Sequence, residues 1–336
     1  MEPSKPQMVK QNNLAYLLQL IKQNGPIPKR MLAELSGLSV VTINKLIPDL
    51  LDKKMITAFS HDVITGGRHA VSYIFNEKKS LLLIVKMVEK DKGIMHFFYY
   101  VCDLYGKVIK EDEMSSQNLE WEEFLKTIEI WNKIYPEIET IVLGIPGVET
   151  NGVIKLVDFP MLKNRKLKEE LTDRFNCRIQ IENDVNAAVL GYAEKCDNEA
   201  VVSGIYYPNG FPPGGGISIQ KKLLKGKNNL VGEVVWLPLG EDWSIDNIAK
   251  VNLKSHLEKI IKSFISLYDP HEIVVYATHE RIRQELINEV CAKLEEQSPV
   301  FELPRIKLSR NFNEDYLLGL ITIGIREMDE LMKLKL

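Results

Sequence analysis

The sequence predicts an α/β body behind a small helical head, and three observations carry that prediction. Residues 1–75 hold nine Lys/Arg against five Asp/Glu, a balance of +4, whereas the whole chain is −3. Apolar residues recur at helical spacing as far as Leu50, then give way from residue 80 to apolar β-type runs that alternate with helical stretches. Glycine and polar corners follow two of those runs, IPG at 145–147 and END at 182–184, where α/β sheets place their ligands.

The head is read first. Residues 12–23 (NNLAYLLQLIKQ) space Leu14, Leu17, Leu18 and Ile21 as one helix face, and NGPIP ends that helix. KRMLAELSG is a second short helix with Gly37 as its C-cap. Ser39 is an N-cap for a third, which buries Ile43, Leu46, Ile47 and Leu50 and is expected to kink or shorten at Pro48. Helix, short turn with glycine, helix is the helix-turn-helix pattern, and it sets Val41, Thr42, Asn44 and Lys45 towards a major groove. Lys29 and Arg30, at the start of the second helix, join that candidate DNA-binding set. ITAFSHDVITGGRHAVSYIF then reads as a two-stranded wing turning at Gly66 and Gly67, with Arg68 for a minor groove and His69 for a phosphate. The competing reading is a small helical domain for protein contacts.

Composition sets wider bounds. With 336 residues, 45% apolar and 26% charged, the chain is long enough for two or three ordinary globular domains. No apolar run approaches the ~20 residues of a membrane span. The opening MEPSKPQMVKQNN has no signal-peptide core, so a cytoplasmic location and no membrane partner are expected. Cys102, Cys177, Cys196 and Cys291 form no CxxC or CxC pair, which argues against a zinc site and a disulfide framework.

In the body, SLLLIVKMV and GIMHFFYYVCDLYGKVI read as strands with a turn at Asp103–Gly106. A helix in NLEWEEFLKTIEIWNKIYP, the strand ETIVLGIPG, a helix in KLKEELTDRF and the strand CRIQI follow. This alternation predicts a mostly parallel sheet. DWSIDNIAKVNLKSHLEKIIKSFISLYDP is expected to be helical.

TGGR, IPGVETNG, IENDVNAAVLGY and LLKGKNNLVGE, in this order, resemble the ROK family of repressors and sugar kinases. The resemblance implies a two-lobed, actin-like (ribonuclease H-like) sugar-kinase body. A fused winged helix-turn-helix implies a regulator of the xylose or N-acetylglucosamine repressor type. It divides the chain into a DNA-binding head (1–78), a first lobe (79–182, rejoined by a C-terminal helix at 313–336) and a second lobe (183–312), with the effector cleft between lobes. By the same resemblance Asp184 is the position of the catalytic base, Asn183 binds a sugar hydroxyl, and Glu233 is a further sugar-binding carboxylate, beside Gly147 and Glu182. From the residues alone, Asp184 reads equally as a helix N-cap and Asn183 as a turn residue.

The sequence departs from the family where the nucleotide and metal would sit. VKMVEK, with Lys86, stands where the family's phosphate loop reads like DIGGT. Gly214, Gly215 and Gly216 survive, but Pro212 and Pro213 stiffen the approach, and Ala277 and Thr278 stand in place of a late glycine pair. Trp236 replaces the family's zinc-binding and sugar-binding histidine, and no cysteine run follows. Trp236 either stacks on a sugar or is core. The expected protein is a repressor of carbohydrate metabolism with a noncatalytic body, no metal and no cofactor. Its expected partners are a double-stranded DNA operator and a sugar or sugar-phosphate effector, bound by a homodimer or dimer of dimers. The alternatives are an active ATP-dependent sugar kinase and a regulator whose body binds a protein.

Overall fold

The computed structural model describes residues 6–60, 71–91, 94–116, 119–157, 159–243, 247, 250–297 and 302–336. The head opens with α1 (Pro6–Asn24), which buries Leu14, Leu17, Leu18 and Ile21. β1 (Ile27–Pro28) leads into α2 (Lys29–Ser36), closed by Gly37 at φ 69°, a left-handed cap that glycine adopts without a Cβ clash. α3 (Val40–Asp52) starts at Ser39, whose hydroxyl accepts a hydrogen bond from the Thr42 amide. Ile43, Leu46, Ile47 and Leu50 are buried, as their spacing requires. Pro48 does not cut α3 short: the helix continues through it to Asp52. Proline removes one backbone donor, and Pro48 lies on the exposed face, where water can serve the bereft carbonyl. β2 (Ile56–Ser60) and β3 (Val71–Phe75) form the expected antiparallel ribbon, and β1 adds a third strand to it that the sequence did not suggest. The turn holding Gly66, Gly67, Arg68 and His69 lies outside the described residues.

The body begins with β4 (Leu81–Asp91), β5 (Ile94–Cys102) and β6 (Val108–Ser116), followed by α4 (Trp121–Ile134) and β7 (Ile138–Ile145). A ribbon of β8 (Gly147–Thr150) and β9 (Val153–Val157) precedes α5 (Leu167–Arg174), β10 (Arg178–Asn183) and α6 (Asp184–Ala193). The rest comprises β11 (Val201–Tyr207), β12 (Gly214–Ile219), β13 (Lys222–Leu223), a single 3-10 turn (Val234–Trp236) and α7 (Leu253–Tyr268). β14 (Glu272–Ala277), α8 (Gln284–Gln297), β15 (Arg305–Ser309) and α9 (Phe312–Lys335) complete it. The helix expected across 242–270 starts only at Leu253, where Asn252 caps it by accepting from the Ser255 amide.

Two five-stranded sheets result, ordered β10-β7-β4-β5-β6 and β13-β12-β11-β14-β15. They are mixed rather than mostly parallel. β10, β7 and β4 run parallel, as do β11, β14 and β15, but β4-β5-β6 and β11-β12-β13 are antiparallel meanders. Tight connections such as Asp103–Gly106 permit only antiparallel neighbours.

Strand alternation sorts the core into layers. In β4, Leu82 and Ile84 face one cluster with α6 and α9, while Leu81, Leu83, Val85 and Met87 face another with α4 and α5. β14 likewise turns Val274 and Tyr276 towards α6 and α9, and Ile273 and Val275 towards α7 and α8. The pair α6 and α9 is therefore held between the two sheets. Their backbones touch: a Cβ on Gly319 would lie 1.8 Å from the Ala187 carbonyl oxygen, and one on Gly191 1.9 Å from that of Asp315. At its far end α9 meets the head. Asp329 pairs with Lys22 at 2.7 Å, and Lys53 donates to the Leu336 carbonyl at 3.0 Å. Tyr105, from the β5–β6 turn, donates to the Lys22 carbonyl and sets its ring edge-on to Phe75.

Candidate functional site

The END corner forms where β10 runs into α6. Asn183 is extended (φ −67°, ψ 145°) and is the N-cap, so the cap role assigned to Asp184 in one reading falls to its neighbour. The Asn183 side-chain oxygen accepts from the amides of Val185 and Asn186, both at 3.0 Å, two of the donors a helix start leaves open. Its amide group donates to the Gly147 carbonyl at 3.1 Å and to Asp184 Oδ1 at 3.0 Å. IPG and END, far apart in sequence, are thereby tied together. Strand register explains how: Asn183 pairs with Ile145 across β10 and β7.

Asp184 occupies the first turn of α6. Its Oδ1 accepts from Asn183 and from the Val185 amide, at 3.0 and 2.9 Å, while Oδ2 takes no hydrogen bond among the described residues. The residue keeps part of its surface, but its carboxyl is enclosed by protein. Loss of water pushes its pKa up to about 7, the Val185 amide pulls it down, and the nearby Glu233 carboxylate raises it again. Burial raises the Glu233 pKa as well. Glu233 is held by its neighbour Gly232, at φ 90°, where a Cβ would come 2.7 Å from the Gly215 carbonyl oxygen. Gly216 makes room in turn for the side-chain oxygen of Asn186. These glycines of β12 thus serve close backbone packing around the corner.

Glu182 is buried and fully engaged. Oε1 accepts from the Asn183 amide and the Asn186 side chain, and Oε2 pairs with Lys225 at 2.7 Å. Asn229 donates to the Glu149 carbonyl at 3.0 Å. The segment between β13 and the 3-10 turn is thus pinned across the corner. A polar cavity of about 130 Å³ lies there, lined by Gly147, Glu149, Lys168, Glu182, Asn183 and Lys225 among others. Lys225 and Lys168 were not singled out in the sequence. Lys225 stands inside the quoted LLKGKNN run, but nothing in that run says which carboxylate it meets.

Trp236 is neither core nor against the END corner: it is 74% exposed, on the rim of a separate, mainly apolar cavity of about 420 Å³ that also includes Leu237, Phe264, Leu267 and Glu233. The 3-10 turn at Val234–Trp236 buries Val234 and turns the indole outward. Lys86 is buried in β4 with its ammonium 4.8 Å from the Phe98 ring centre and donating to the Asn313 carbonyl. Thr278 accepts from the Asn209 amide. No group of three or more His, Cys, Asp or Glu suited to a metal occurs among the described residues. No described helix is long and apolar enough to cross a membrane.

In the head, Val41, Asn44 and Lys45 are exposed on α3 and Thr42 is partly so. Thr42 is held by Ser39, its hydroxyl 2.9 Å from the serine hydroxyl, and Asn44 accepts from Lys29 at 2.9 Å. Arg30 makes an exposed ion pair with Glu34 at 3.2 Å. Arg68 and His69 lie outside the described residues.

Residues 90–242 match the sequence profile of the ROK family. The N-acetylglucosamine repressor of Escherichia coli O157:H7 is 27% identical over 252 residues, 70% of this chain and 60% of that protein. The chain thus spans about 60% of the length of the curated relatives it matches first. A crystal structure of a ROK family transcriptional regulator, a homologue of the E. coli MLC protein, aligns with 97% of this chain and 98% of its own, at TM-score 0.68 and 19% identity. A ROK hexokinase from Thermus thermophilus aligns with 74% of this chain and 99% of its own, at TM-score 0.60 and 15% identity. Residues 90–242 thus carry a ROK family domain, and the two mixed α/β sheets are consistent with the actin-like sugar-kinase fold.

Proposed function

We propose that the chain is a DNA-binding transcriptional regulator, a repressor of carbohydrate metabolism, whose kinase-like body senses a sugar or sugar derivative without turning it over. One observation carries this reading: α9 touches both functional regions, packing backbone to backbone on α6 beside the corner and ending against α1 and α3 of the head. Residues 1–78 are the winged helix-turn-helix in this reading, 79–182 with 313–336 the first lobe, and 183–312 the second. The names of its relatives, among them the N-acetylglucosamine repressor, support a sugar as effector. Two-fold assembly, as a homodimer or a dimer of dimers, would present two heads to two half-sites.

The corner suits a hydroxylated ligand. Glu149 on the lining of the polar cavity supplies an acceptor, and Lys225 and Lys168 offer donors or a seat for a sugar phosphate, while Asp184 and Glu233 lie outside that lining. A noncatalytic body is supported by Lys86, whose buried side chain lies midway along β4, where the family resemblance calls for a glycine-rich phosphate loop. Coupling is linkage: a ligand that prefers one arrangement of the two sheets shifts the head through α9, and DNA weakens the ligand by the same factor. Coupling of ~1–3 kcal/mol would change operator affinity roughly 5–150-fold.

The test is fluorescence anisotropy on DNA from upstream of the chain's own gene, at fixed salt, against a panel of sugars and sugar phosphates. Specific binding weakened by one sugar is the expected result; no specific binding to any such DNA would overturn it. Asp184 keeps the kinase alternative specific: hexose phosphorylation abolished by Asp184→Asn would establish an enzyme. Specific DNA binding indifferent to every sugar would favour a body that binds a protein.

A further inference from the structure

The four α3 residues expected to face a major groove are not equally free to do so. Thr42 spends its hydroxyl on Ser39. Asn44 has its side-chain oxygen on Lys29, so the acceptor half of a bidentate adenine contact is already occupied. Two side chains among the four are uncommitted. Lys45 is exposed and makes no described ion pair or hydrogen bond. Val41 is 65% exposed in the first turn, next to Val40 at 48%. On a helix, positions 41, 44, 45 and 48 share one face, so Val41, Lys45 and Pro48 make a stripe that is apolar at both ends and cationic between.

Val40 and Val41 leave two adjacent apolar side chains open to water at the helix start. The surroundings name the occupant. Lys29, hydrogen-bonded to Asn44, borders the stripe, Lys45 lies within it, and the head is net positive. A partner must therefore be anionic at its rim and present a small apolar group at its floor. The major groove of DNA does both wherever a thymine places its 5-methyl between phosphate ridges.

We propose that α3 reads thymine methyl groups through Val41, with Lys45 on the adjacent base edge or phosphate. This rests on the DNA-binding reading above and sharpens it: the half-site contains a thymine under Val41 whose methyl, rather than its hydrogen-bonding pattern, is recognised.

The experiment first selects duplexes bound by the full chain from a randomised DNA library. Each thymine of the selected duplex is then replaced singly by uracil, which removes only the methyl, and affinity is measured at fixed salt. One thymine per half-site should show a loss of about fourfold, the factor that burying one methyl supplies. Val41→Ser should bind the thymine and uracil duplexes equally at that position. Lys45→Ala should weaken both alike and keep their ratio. Val41 is exposed, so the serine variant is expected to fold, and an unchanged thermal transition checks this. Equal binding of thymine and uracil duplexes at every position by the unmodified protein overturns the proposal, as does full discrimination retained by Val41→Ser. A library that yields no enriched sequence overturns the DNA reading and this inference together.

Discussion

The END corner and the exposed face of α3 are both polar-rich starts of helices, yet they are built in opposite ways. At the corner most polar atoms are answered from within: the Asn183 side chain makes four hydrogen bonds, Glu182 uses both oxygens and Gly147 lends its carbonyl, while Asn186 Oδ1 and Asp184 Oδ2 have no partner among the described residues. On α3 the side chains that face outward are held only at their edges, by Ser39 and Lys29, and Val41 and Lys45 stand in solvent. In the proposed function this difference separates a pre-organised site from a contact surface. A corner held this firmly can discriminate small ligands by shape, while a loosely held face adapts to a long partner and takes its order from it.

Substitutions should expose this contrast, beginning with the largest effect. Gly319→Ala drives a methyl into the Ala187 carbonyl, so α6 and α9 must separate. A loss of more than ~4 kcal/mol, or failure to fold, is expected in denaturant titration. Asn183→Ala removes the cap and the tie to Gly147, at a cost of about 2 kcal/mol in the same titration. Asp184→Asn should act through pH. The folded carboxyl has its pKa near 7, above the ~3.9 of an unfolded aspartate, so the folded state holds the extra proton between those values. Stability is then greatest at low pH on this account and falls as pH rises through about 7. The asparagine variant should lack this fall and exceed the parent by ~1–2 kcal/mol at pH 8 in chemical denaturation curves. The smallest effect is expected on the open face. Lys45→Ala should change stability by less than ~0.5 kcal/mol while lowering the salt slope of DNA binding by about one. An equally large stability loss there would erase the contrast.

Much of this was legible in the chain. Ser39 and Gly37 mark the ends of α3 and α2, because caps are local chemistry. The strand and helix order of the body follows from periodicity, and the END corner sits at its expected strand end. What escaped reading is what depends on distant partners. Whether Asn183 or Asp184 caps α6 is a choice between adjacent residues that only the path of β10 decides. Lys225 meets Glu182 across 43 positions of sequence, and nothing local announces it. Trp236 was expected to be core or ligand contact at the corner, but the turn it terminates sends it outward. The meanders that make the sheets mixed depend on connection length, which apolar alternation does not reveal.

The glycine contacts of α9 have a mechanical consequence. α9 is bedded on the first sheet, with Gly324 against Leu82 and Val142 and the Thr140 hydroxyl on the Met328 sulfur. It meets α6 backbone to backbone at Gly191 and Gly319, a bearing flanked by the ion pairs Lys195–Asp315 and Arg326–Glu194. From Gly319 to the helix end at Lys335 the arm is about 24 Å long at 1.5 Å per residue, and from Phe312 to Gly319 it is about 10 Å. In the proposed regulator, α9 and the first sheet it is bedded on would move as one body about that bearing, and the head end, on the longer arm, would travel more than twice as far as the end at Phe312.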